Sequence, residues 1–98
     1  MTSIEQNQLR FFQHLFDRDP NEGELDCVMG ALDSLSSRER DVLRLRFGLD
    51  GSKPRSLLET SKELVSVTRE RVRQIETLAI NKLLHKVSSS EEKTVTPA

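Results

Sequence analysis

The chain has 98 residues, 35% of them hydrophobic and 32% charged, and a formal net charge of −1. That length bounds it to one small domain with a modest core, and the composition is too apolar for full disorder. No apolar run nears the ~18 residues of a membrane span, and MTSIEQNQLR lacks a basic start followed by an apolar stretch. Cys27 stands alone, which excludes an internal disulfide framework and a multi-cysteine zinc site. The expected compartment is the cytoplasm.

Taken in segments, the charge is uneven. Residues 1–35 carry two Lys/Arg against seven Asp/Glu, a net of −5. Residues 36–86 carry twelve against seven, a net of +5, and residues 87–98 carry one against two. An acidic N-terminal arm thus precedes a basic module, an asymmetry that fits either nucleic-acid binding or a solvated helical surface.

Residues 4–16, IEQNQLRFFQHLF, place Ile4, Leu9, Phe12 and Phe16 near one helical stripe with Phe11 and Leu15 beside it. Such a helix either packs onto the basic module or serves as a docking helix for another protein. Asp19-Pro20 and Gly23 punctuate a turn over 17–24. Helical spacing returns over 25–35 with Leu25, Val28, Leu32 and Leu35. Ser36 and Glu39 have the spacing of a capping box, in which each side chain satisfies a free backbone N–H of the helix start. That spacing predicts a helix through Val42, Leu43, Leu45 and Phe47, stopped by Gly48. Residues 49–55 read as a loop. Ser56 and Glu59 repeat the box and open a short helix to about Leu64. After a tight connection, Thr68 caps a helix from Arg69 to about His85. Its inner face holds Val72, Ile75, Leu78 or Ala79, and Leu83, and its outer face holds Arg69, Glu70, Arg73 and Gln74. Residues 87–98 show no periodicity and are expected to form a disordered tail.

Two short helices joined by a few residues, the second opening on Arg, Glu and Gln, describe a helix-turn-helix. In that motif the second helix enters the major groove and meets base edges with its first residues. Arg pairs with guanine, Glu accepts from cytosine and Gln pairs with adenine. Arg38, Arg40, Arg44, Arg46, Arg55 and Lys62 are candidates for phosphate contacts, which position without reading sequence. The same four outer-face side chains also suit i,i+3 and i,i+4 pairs on a solvated helix. Neither His14, His85 nor Cys27 sits in a catalytic triad or metal-ligand spacing, and no glycine-rich phosphate loop is present, so binding rather than enzymatic catalysis is expected. No cofactor is implied.

LDSLSSRERDVLRLRFGLDG at 32–51 and VTRERVRQIE at 67–76 are long, specific and in order. Through them residues 32–86 resemble the C-terminal domain, region 4, of sigma-70-family bacterial RNA polymerase sigma factors. The resemblance implies transcription initiation and promoter recognition: binding of the minus-35 element as duplex DNA and docking on the beta flap of RNA polymerase. It implies that Arg69, Glu70, Arg73 and Gln74 face bases, and that Arg38, Arg44, Lys62 and Thr68 contact the DNA backbone. It further implies that Leu43, Phe47 and Leu49 build the core and the polymerase-facing side. Phe11, Phe12 and Phe16 are added as candidate partner contacts of the N-terminal helix, for a regulator or a sigma factor.

The sequence departs from the family pattern in several places. Thr60 and Ser61 replace a branched apolar residue and a glycine, Leu58 replaces an acidic residue, and Leu64-Val65-Ser66-Val67 holds one residue more than the usual turn. Leu78, Asn81 and Leu84 stand where Lys or Arg is common, which leaves Leu78 and Leu84 as candidate exposed apolar groups. The minus-10-binding domain finds no room in 98 residues, so the expectation is either a fragment of a sigma factor or a stand-alone protein. The expected architecture is an all-α helical bundle: an acidic arm with an amphipathic helix (1–24), a region-4-like helix-turn-helix domain (25–86) and a tail (87–98). An alternative function is a regulator that uses the fold mainly for contacts with polymerase, a sigma factor or its own copies.

Overall fold

The computed structural model describes residues 2–64 and 66–95, with side chains up to Val87. Helix α1 spans Ser3–Phe16, opened by the Thr2 hydroxyl accepting from the Glu5 N–H at 3.2 Å and closed by Asp17 in a left-handed conformation. Helix α2 spans Glu24–Ala31 and tightens into a 3-10 turn at Leu32–Ser34. Helix α3, Ser37–Phe47, and helix α4, Leu57–Glu63, both begin with the expected capping boxes: Ser36 with Glu39 and Ser56 with Glu59. Helix α5 runs Arg69–Val95. No strand occurs among the described residues.

Gly48 ends α3 at a φ of 63°, a region that side-chain-bearing residues avoid. A Cβ there would also collide with the Ser52 carbonyl oxygen and crowd the Asn7 amide. Asn7, buried on α1, donates through Nδ2 to the carbonyls of Gly48 (2.8 Å) and Ser52 (2.9 Å), so the helix stop and the following loop are tied to α1.

Two apolar clusters share α5. The larger joins Phe11 and Phe12 of α1, Val28 of α2, Leu35, Leu43 of α3, Leu49, and Ala79, Leu83 and Val87 of α5. The smaller joins Val42, Val72 and Ile75, flanked by Leu57, Leu64 and Val67. The 3.6-residue period puts 72, 75, 79 and 83 on one side of α5, so one helix serves both clusters.

Two expectations change, and one left open is settled. The buried line of α1 is Asn7, Phe11 and Phe12, while Ile4 remains 45% exposed. The polar Asn7 holds the inner position because two loop carbonyls need its donors, so an apolar count misplaces the stripe. At the open position of α5 it is Ala79 that is buried and Leu78 that faces out. Residues 87–95, expected as tail, continue α5: no glycine or proline interrupts the chain from Arg69 to Val95, and buried Val87 extends the apolar side one turn past Leu83. Residues 96–98 lie outside the described residues.

Candidate nucleic-acid interface

Helices α4 and α5 form the helix-turn-helix. Val42 of α3 fills the space between them with Val72, Ile75, Leu57, Leu64 and Val67. The connection closes with the Val67 N–H on the Leu64 carbonyl at 3.2 Å, and Ser66 adopts a φ of 68°. Val65 lies outside the described residues. The Thr68 hydroxyl then accepts from the Arg71 N–H at 3.1 Å, capping α5.

With Val72 and Ile75 turned inward, Arg69, Glu70, Arg73 and Gln74 are all exposed on the other side of α5. They are not idle. Arg73 grips Glu70 through Nη2 at 2.5 Å and through Nε at 3.1 Å. The Arg73 guanidinium holds the Glu70 carboxyl below its usual range, and Glu70 raises Arg73 in return. Arg71 donates through Nη1 to the Gln74 side-chain Oε1 at 3.3 Å. Arg71, Arg73, Gln74, Thr77 and Leu78 line one shallow groove. Arg71 is absent from the sequence-derived site; its signal was its place three residues after the cap and three before Gln74. Arginines in the first turn sit at the positive end of the helix dipole, where an incoming anion is favoured.

The cations proposed for phosphate contacts divide into two groups. Arg46 is bound to Glu76 at 2.6 Å and to the Arg55 carbonyl at 2.6 Å, Arg55 to Glu63 at 2.8 Å, and Arg40 stands 3.9 Å from Asp33. Arg44 lies between Asp41 (3.5 Å) and Asp50 (3.3 Å). Asp50 is lowered to about 2, chiefly by the Ser52 hydroxyl and backbone N–H. Arg38, Lys62 and Arg69 are exposed and carry no ion pair among the described residues. Thr68 is exposed at the cap.

The residues assigned to protein partners also divide. Phe11, Phe12 and Leu43 are buried, with Phe11 against Phe47 at 4.8 Å between ring centroids, so these three offer no surface. Leu49 is buried in the same core, and Phe16 and Phe47 are partly buried against it. Arg18 lies over the rings of Phe12 and Phe16 and pairs with Glu24, whose carboxyl it lowers to about 2. Beside this core a second groove is lined by the apolar Met29, Leu32 and Leu49 and the charged Asp33, Arg40, Arg44 and Asp50. Among the described residues, no group of three or more His, Cys, Asp or Glu side chains suits a metal ion, and no helix is long and apolar enough to cross a membrane.

Residues 31–85 match the family described as Sigma-70, region 4. The chain is 59% identical over 54 residues to RNA polymerase sigma factor SigA of Nostoc sp., which is 55% of this chain and 14% of that protein. It is 57% identical over 56 residues to sigma factor SigA1 of Synechococcus elongatus, 57% of this chain and 14% of the relative. Against SigA of Microcystis aeruginosa it is 57% identical over 54 residues, 55% of this chain and 13% of the relative. The chain therefore spans about a seventh of the length of these curated relatives. No solved structure matches it significantly.

Proposed function

The chain belongs to the Sigma-70 region 4 family, and from that premise we propose that it binds promoter duplex DNA of the minus-35 type through α4 and α5 and docks on RNA polymerase at the beta flap. The observation that carries the reading is the Thr68-capped start of α5, which presents Arg69, Glu70, Arg73 and Gln74 together while Val72 and Ile75 anchor the helix from behind. Those residue types match the donor and acceptor pattern of base edges in the major groove. Arg38, Lys62 and Thr68, exposed on α3, α4 and at the cap, supply backbone contacts that set register, and Arg44 joins them on release from Asp41 and Asp50. The action is binding and positioning, not chemistry on a substrate.

Of Leu43, Phe47 and Leu49, Phe47 is the one that is not fully buried, so it supplies the surface of the family's polymerase-facing stretch. A regulator working chiefly by protein contacts is the second reading, favoured by Leu58, 48% exposed on α4 where the family pattern carries an acid. Binding of the 98-residue chain to a minus-35 duplex and to a scrambled duplex, across a salt series, separates the two. Preference for the element supports promoter binding. Equal affinity with a steep salt slope, or no binding, sinks it and leaves polymerase and sigma factors as the partners to assay.

A further inference from the structure

Leu78 is the most exposed large apolar side chain among the described residues, at 50%. One exposed leucine says little by itself; its position says more. It follows Gln74 by four residues on α5 and closes the groove lined by Arg71, Arg73, Gln74 and Thr77. Beside it, the Thr77 hydroxyl bonds the Arg73 carbonyl at 3.0 Å, which leaves the γ-methyl as the group Thr77 has to offer. The first turns of α5 are therefore polar on this side, and the next step is aliphatic.

Resting on the reading of α5 as a duplex-binding helix, we infer that Leu78, with the Thr77 methyl, reads the 5-methyl group of a thymine. That methyl is the apolar group which base pairs present in the major groove. Leu78 stands about 6 Å along α5 from Gln74, and successive base pairs are about 3.4 Å apart. The thymine therefore lies one or two steps from the base that Gln74 meets. Neither Leu78 nor the Thr77 methyl can hold a phosphate. A lone leucine among Arg71, Arg73 and Gln74 is also far short of the roughly 800 Å² per partner of a stable protein interface.

The test replaces each thymine of the minus-35 duplex, one at a time, by deoxyuridine, which removes the methyl and keeps every hydrogen-bonding group. For the full chain, one or two adjacent positions should lose about threefold to fivefold in affinity, the worth of one buried methyl group. In Leu78→Ala the loss at those positions should vanish while preference for the element persists, and Leu78→Met should restore it. An exposed leucine is a safe site for substitution, and circular dichroism verifies that each variant is folded. A uracil scan that is flat, or the same in the full chain and Leu78→Ala, overturns the inference while the element is still preferred. So does a Leu78→Ala variant that binds every duplex as before but loses affinity for polymerase core. If neither protein prefers the element over a scrambled duplex, the promoter-binding reading fails and this inference falls with it.

Discussion

Arg46 near the end of α3 and Glu76 in the first third of α5 are joined at 2.6 Å, with side chains 25% and 15% exposed. The same guanidinium donates to the Arg55 carbonyl just before α4, so one side chain of α3 ties together the two helices of the helix-turn-helix. Removing the acid strands a half-buried cation and loosens the seat of α4. Glu76→Ala should cost about 1–3 kcal/mol. Urea unfolding reads this as a lower midpoint; an unchanged midpoint would show the pair to be fully solvent-screened.

Thr60 is fully buried in α4, and its Oγ1 has no hydrogen-bond partner among the described residues. A desolvated hydroxyl without a partner costs about 1–3 kcal/mol. Valine keeps the branched shape and removes that cost, so Thr60→Val should raise the thermal midpoint. A lower midpoint would mean that the hydroxyl is satisfied in solution.

Ser66 carries the left-handed φ of the turn between α4 and α5. Residues with a Cβ pay about 1–2 kcal/mol in that conformation. Ser66→Gly should therefore stabilise the fold by up to this amount, less the extra entropy glycine loses on folding. Ser66→Val should destabilise it. Chemical denaturation of the two variants side by side checks the sign.

Glu39 accepts from Lys82 Nζ at 2.7 Å and from the Ser36 backbone N–H at 3.0 Å. The Lys82 bond first, then that of Ser36, holds its carboxyl below the usual 4.5. A depressed folded-state value means that the unfolded chain takes up the proton first. The stabilisation is complete above about pH 4.5 and fades as pH falls through the folded value. Glu59, lowered chiefly by the Ser56 backbone N–H, acts in the same direction. Unfolding midpoints measured from neutral pH to about pH 3 should fall less steeply in Glu39→Gln than in the parent chain.

Arg69 and Lys62, both exposed and without ion pairs among the described residues, should behave differently on DNA. Arg69→Ala should cost about 1–3 kcal/mol on the cognate element and relax one base position. Lys62→Ala should weaken all duplexes alike and reduce the salt slope by about 1. Equal effects of both on cognate and random duplexes would remove Arg69 from base reading.

Arg73 and Glu70 share an ion pair on the exposed side of α5. Spacing at i,i+3 made this pair readable, as did the exposure of Arg69 and Gln74 opposite Val72 and Ile75. The spacing of Arg71 from Thr68 and Gln74 was there to read, but that its side chain turns towards Gln74 is set by the folded helix. Of the two coverings the sequence left open for the Phe-rich helix, packing within the chain takes Phe11 and Phe12, because an amphipathic pattern shows that a face will be covered, not what covers it.

What the sequence determined by itself is local. Both capping boxes, the stop at Gly48, the Thr68 cap and the inward side of α5 follow from atoms within four residues of one another, where chain connectivity keeps partners close. Tertiary structure decided the rest. Asn7 meets the carbonyls of Gly48 and Ser52 across more than forty residues, Glu39 meets Lys82 across as many, and Arg46 chooses Glu76 among seven acids of the basic module. Such pairings depend on the packing of α1, α3 and α5 around one core, because an ionic or amide group takes whichever partner the fold brings within about 3 Å.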